Sequence, residues 1–108
     1  MRTTLKIILV LVILLSGCQS KVSPQELISK IKQKGYAVEQ GTSIAAFVNN
    51  SEEQFWLTIE GKKIAAYLFS SPETAEFKAG GLENGYSNGY WAFEYVTPET
   101  KMILEESL

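Results

Sequence analysis

Three short segments punctuate the chain in the same way: Ser23-Pro24-Gln25-Glu26, Ser71-Pro72-Glu73-Thr74 and Thr97-Pro98-Glu99-Thr100. Each sets a hydroxyl residue before a proline. A serine or threonine at the N-cap satisfies a free amide of the first helical turn, and proline at the first helical position has φ already set and no amide to lose. Glu26, three residues after Ser23, completes a capping box. The pattern predicts helices beginning at about 24, 72 and 98, so strands must fit between them. In the first helix Leu27, Ile28 and Ile31 mark an apolar face, Lys30, Lys32 and Lys34 favour the negative C-terminal end, and Gly35 is the stop.

The intervening segments change to a period of two. Tyr36 to Glu39 and Ile44 to Val48 are candidate strands, separated at Gly41. Phe55, Leu57 and Ile59 alternate with Trp56 and Thr58, and beyond Gly61 the residues Ile64, Ala66 and Leu68 alternate with Ala65, Tyr67 and Phe69. A type II′ turn at Gly61-Lys62 pairs Ile59 with Ile64, Leu57 with Ala66 and Phe55 with Leu68, and on the other face Glu60 with Lys63 and Trp56 with Tyr67. A turn at Glu60-Gly61 is disfavoured because it opposes Ile59 with Lys62. The last strand, about Tyr90 to Val96, sets Trp91, Phe93 and Tyr95 towards a helix and Tyr90, Ala92, Glu94 and Val96 on a wetter face.

Helix, two or three strands, helix, strand, helix is an α+β order: a small antiparallel sheet of three to five strands with about three short helices covering one face. In architecture alone it resembles the ferredoxin-like split βαβ arrangement without its first strand, and small extracytoplasmic lipoprotein domains.

The first seventeen residues have a separate character. Arg2 and Lys6 form a basic n-region, and Leu5 with Ile7 to Leu15 an apolar h-region. A run of about ten apolar residues falls well short of the roughly twenty that span a bilayer, so the segment reads as an export signal. The other reading is an ordinary N-terminal membrane anchor. Leu15-Ser16-Gly17-Cys18, directly after the apolar run, resembles the lipobox of bacterial lipoprotein precursors. The resemblance implies a diacylglycerol thioether on Cys18, cleavage between Gly17 and Cys18 by a type II signal peptidase, and a lipid-anchored protein on the extracytoplasmic side of the cell membrane. Gln19 and Ser20, with no aspartate after the cysteine, resemble outer-membrane sorting where an outer membrane exists. Two acyl chains anchor a protein stably where one does not.

The chain then divides into a removed signal (1–17), a lipidated tether (18–22) and one α+β domain (23–108). Removing 17 of the 108 residues leaves 91, enough for one small core. Cys18 is the only cysteine, so no disulfide supports that core. Twelve Glu against eight Lys after the signal give a net charge near −4, which disfavours nucleic acid.

The sequence contains no His and no Asp, and Arg2 is its only arginine. Transition-metal sites and hydrolytic triads draw on His or Cys, so neither a metal, a cofactor nor a catalytic residue is expected. Paired glutamates remain chemically capable of glycosidase-type catalysis or calcium binding.

The stretch Gly80 to Trp91 invites a functional reading. Asn84-Gly85 and Asn88-Gly89 are turn signals, each followed by a tyrosine. Tyr86, Tyr90 and Trp91, extended by Trp56, are candidate partner-binding residues, since aromatics combine apolar area with a polar tip. The alternative is a plain connection whose aromatics fold back as lids on the core. The expected function is a noncatalytic envelope lipoprotein domain that binds a protein or glycan. A purely structural surface lipoprotein and a Glu-dependent hydrolase are the alternatives.

Overall fold

The computed structural model describes residues 21–44 and 51–108. Leu15, Ser16, Gly17 and Cys18 lie outside the described residues, as do positions 45–48 of the second candidate strand. The order is α1 (Pro24–Gln33), β1 (Val38–Ser43), β2 (Ser51–Ile59), β3 (Lys62–Phe69), α2 (Pro72–Ala79), β4 (Tyr86–Asn88), β5 (Trp91–Glu94) and α3 (Pro98–Ser107). The five strands form one antiparallel sheet in the order β1-β2-β3-β5-β4, which makes the fold α+β as expected. β3 and β4 run parallel to each other with β5 inserted between them and α2 as their connection, so this half of the sheet is a split βαβ unit, as the element order suggested.

Among the described residues the three helices begin where the hydroxyl-proline pairs stand. Ser23 accepts a hydrogen bond from the Glu26 amide at 3.2 Å, and the Glu26 carboxylate accepts from the Ser23 amide at 3.1 Å. At α3 the box closes with a hydroxyl, Thr97 N–H donating to Thr100 Oγ1 at 2.8 Å. At α2 only the forward half forms, from the Thr74 amide to Ser71 Oγ at 3.1 Å. The end of α1 is also where the sequence places it. The Gly35 amide donates to the Lys32 carbonyl and the Tyr36 amide to the Ile31 carbonyl, the two bonds of a Schellman motif.

The β2–β3 register differs from the expected one by two residues. Phe55 pairs with Ala66, Leu57 with Ile64 and Ile59 with Lys62, while Trp56 faces Ala65 instead of Tyr67 and Lys63 faces Thr58 instead of Glu60. The turn is therefore Glu60-Gly61, with φ of 51° and 79°. Positive φ at both central residues is the type I′ geometry, whose twist matches that of the flanking strands. Glu60 is held there from outside the hairpin. Its amide donates to the Ala37 carbonyl at 2.9 Å, and its carboxylate accepts from the Ala37 amide at 2.6 Å. Lys62 does not waste its place opposite Ile59, because its amine pairs with Glu99 at 3.2 Å. A shift of two leaves the faces unchanged.

Each sheet face has its own core. On one, Phe55, Leu57, Ile59, Ile64, Ala66, Leu68, Trp91 and Phe93 are buried beneath Leu27 and Ile31 of α1 and Ile103 and Leu104 of α3. Each large aliphatic side chain so buried contributes about 1.5–3 kcal/mol. On the other, Ala65, Tyr67, Phe69 and Ala92 lie against Ala75 and Ala79 of α2. The expectation of helices on one face only is thus corrected. Small residues spaced four apart let α2 approach the sheet closely, while Phe77 on its outer side is 78 % exposed. The first candidate strand moves too: β1 starts at Val38 and runs through Gly41.

Candidate interaction surface

The structure separates the four candidate aromatics. Trp91 is only 1 % exposed: it packs edge-on to Phe55 with centroids 5.8 Å apart, stacks on Phe93 at 6.0 Å, and donates from its indole N–H to the Val22 carbonyl at 2.9 Å. It is a core residue, which corrects its place among the candidate binding residues. Tyr86 is half-buried over Phe93 at 6.2 Å and accepts from the Asn88 side-chain amide at 2.9 Å. Burial pushes its phenol pKa up, with the Asn88 bond opposing. Tyr90 sits in the turn between β4 and β5, partly buried, with the Lys21 amine 5.8 Å from its ring centre. The 80–91 stretch is therefore a connection and a short hairpin, with its rings folded onto the core.

Trp56 stands alone on the opposite face, at the margin of the α2 core. Its ring stacks against Tyr95 with centroids 6.1 Å apart and planes 16° from parallel. The Lys63 amine lies 4.4 Å from the Trp56 ring centre, a cation–π contact of about 0.5–1 kcal/mol at an exposed site. Beside this group the Tyr67 hydroxyl donates to Glu94 at 2.9 Å. Burial is the main reason the Tyr67 phenol pKa is pushed far up, and the bond to Glu94 adds to it.

Tyr95 is the residue the alternation misplaces. A regular strand carries it on the core face with Trp91 and Phe93, yet it adopts φ of 66°, is 40 % exposed and turns to the Trp56 side. Two hydrogen bonds fix the departure, from the Tyr95 amide to the Glu83 carbonyl at 2.8 Å and from the Val96 amide to the Asn84 carbonyl at 3.1 Å. Left-handed backbone at a bulky residue costs about 1–3 kcal/mol, and such strain concentrates at functional positions. The result is a cation and two rings in sequence, Lys63, Trp56 and Tyr95, on the sheet face that also carries the Tyr67–Glu94 hydrogen bond.

Open grooves lie elsewhere, among them one of about 390 Å³ between Tyr36, Glu39, Thr58 and Gly61. One of about 500 Å³ runs along α1 between Gln25, Ile28, Ser29, Lys32, Gln33 and Gln40, and one of about 420 Å³ runs between Tyr86 and the start of α3, reaching Lys101. None of these three is lined by Trp56 or Tyr95. Among the described residues no group of three or more His, Cys, Asp or Glu side chains is placed to hold a metal ion, and no helix is long and apolar enough to cross a membrane. Six glutamates have structural partners: Glu26 at its cap, Glu52 with Lys21, Glu60 with Ala37, Glu94 with Tyr67, Glu99 with Lys62, and Glu106 with the Tyr36 hydroxyl at 2.7 Å.

Fold and surface thus define an α+β domain with helices on both faces of its sheet and an aromatic pair left outside them. Comparison with protein-family models, curated proteins and solved structures returns no match.

Proposed function

We propose that the protein is a lipid-anchored, extracytoplasmic lipoprotein whose domain is a noncatalytic binding or accessory module, engaging an envelope protein or glycan through the Trp56–Tyr95 surface. The address rests on Leu15-Ser16-Gly17-Cys18 directly following the apolar run. The binding role rests on one observation: Tyr95 is held in left-handed backbone, partly exposed, with its ring against Trp56. A ring kept outside the core at a backbone cost is poorly explained by packing alone. Two near-parallel rings with an amine over one of them suit the apolar face and hydroxyls of a sugar, or an aromatic-bearing peptide.

Tyr95→Asn separates the two roles of the residue. Asparagine accepts positive φ at little cost, so the fold keeps its shape while the ring is lost. In cells, crosslinking followed by mass spectrometry identifies the species joined to the wild-type domain. The variant loses that product at unchanged melting temperature. Equal crosslinking by the variant overturns the assignment of this surface. A domain that crosslinks to nothing in either form supports instead a purely structural surface lipoprotein.

A further inference from the structure

The tether is fastened to the domain at its very start. The Val22 carbonyl accepts the Trp91 indole N–H at 2.9 Å, and Val22 packs against the main core. Lys21 pairs with Glu52 and sets its amine over the Tyr90 ring. Only Gln19 and Ser20 separate Cys18 from Lys21, so the two Cα atoms stand at most about 11 Å apart. A lipid on Cys18 places that cysteine at the headgroups, which leaves the domain no room to swing free on a long leash.

The elements meeting at this end are identifiable from the topology. β2 starts here at Ser51, and β3 ends here at Phe69, whose amide donates to the Tyr90 carbonyl at 2.9 Å. The β4–β5 turn, Gly89 and Tyr90, lies beside them. At the opposite end stand the Glu60-Gly61 turn and the C-terminus of α1, joined through Ala37. The β2 strand between these ends spans roughly 26 Å.

We infer that the domain stands on its membrane with the β4–β5 turn, Ser70 and the start of β2 against the phospholipid headgroups and the Glu60-Gly61 turn pointing away. This rests on the lipid attachment at Cys18 proposed above. Tyr90 suits that position, because a ring with a polar tip is at home in the headgroup layer. The acidic domain has no electrostatic pull towards anionic lipid, so the short, pinned tether sets the orientation. The Trp56–Tyr95 pair is then carried part way up the domain and faces sideways to an approaching partner instead of into lipid.

The lipid consumes the native thiol, so an introduced cysteine is the one labelling site. Ser70→Cys and Lys34→Cys, both exposed positions, carry a fluorophore near and far from the tether. The lipidated full chain is purified from membranes, labelled and reconstituted in phosphatidylcholine–phosphatidylglycerol vesicles containing a headgroup nitroxide lipid. The label at position 70 is quenched several-fold more than that at position 34, and a Gly/Ser insert of about ten residues after Ser20 abolishes the difference. Equal quenching of the two labels in the uninserted protein overturns the orientation while leaving the lipoprotein assignment intact. A difference that survives the insert overturns the role of the tether. The intact mass of the same preparation reports separately on the anchor: a chain without diacylglycerol on Cys18 overturns both readings.

Discussion

Replacing Trp91 by phenylalanine is the sharpest test of how the aromatic residues divide between core and surface. The indole is 1 % exposed and its N–H is bonded to the Val22 carbonyl, so the change removes that bond and part of a fully packed ring. Leaving a carbonyl without its partner costs about 1–3 kcal/mol. The missing ring atoms, comparable to one or two methylenes, add about 0.8 kcal/mol each. The total is roughly 2–5 kcal/mol, against the 5–14 kcal/mol that about 0.05–0.15 kcal/mol per residue implies for 91 residues. For a domain of this size the melting temperature falls by about 10–25 °C. Urea unfolding followed by circular dichroism measures it, with an unchanged m-value showing that the two end states are comparable. Trp91→Ala, at about 3–5 kcal/mol, removes most of the stability at the low end of that stability range and about a third at the high end. If Trp91→Phe costs less than about 0.5 kcal/mol, the value typical of surface positions, the assignment of Trp91 to the core is refuted.

Further outcomes follow from single contacts. A Cβ at Gly85 meets the Ala79 carbonyl oxygen at 2.1 Å, a backbone obstacle that cannot swing aside, so Gly85→Ala destabilises by about 1–3 kcal/mol or more, whereas Gly80→Ala, with 3.4 Å to its nearest neighbour, stays within about 0.5 kcal/mol in the same urea assay. The Tyr67 phenol pKa is raised in the folded state, so its stabilisation is fully present below pH 10 and is lost as pH rises beyond it; Tyr67→Phe flattens the alkaline fall in stability, with the smaller contributions of Tyr36 and Tyr86 remaining, and an unchanged slope counts against a raised phenol pKa and the burial that chiefly causes it. The Glu26 carboxyl pKa is held below its ordinary 4.5 chiefly by the Ser23 backbone amide and next by the Ser23 side chain, so its stabilisation is present above that pH and lost as pH falls; the carboxyl titration followed by NMR moves back towards 4.5 in Ser23→Ala, and an unmoved midpoint counts against a part for the serine hydroxyl.

Helix starts were legible because capping is local: a hydroxyl, a proline and a residue three positions on settle the first turn whatever the rest of the chain does. The alternation of β2 and β3 was legible for the same reason, and so were their faces. Their register was not, because Glu60 takes positive φ only with Ala37 bonded to it from 23 residues away. The side on which α2 packs was equally hidden. Its buried residues are two alanines and its one large apolar ring faces water, the reverse of what an apolar stripe conveys. At the surface, Trp56 stood out as an aromatic on the second face of a strand. Tyr95 did not, because period-two reasoning continues β5 through a residue where the backbone turns.

The most direct test of the proposed address concerns Cys18. Intact-mass and N-terminal peptide analysis of the protein extracted from membranes should find a chain beginning at Cys18 with a diacylglycerol thioether on its sulfur. The Cys18→Ser precursor should retain residues 1–17 and carry no lipid. A wild-type chain with a free Cys18 thiol, or a serine variant processed and anchored like the wild type, contradicts the proposal.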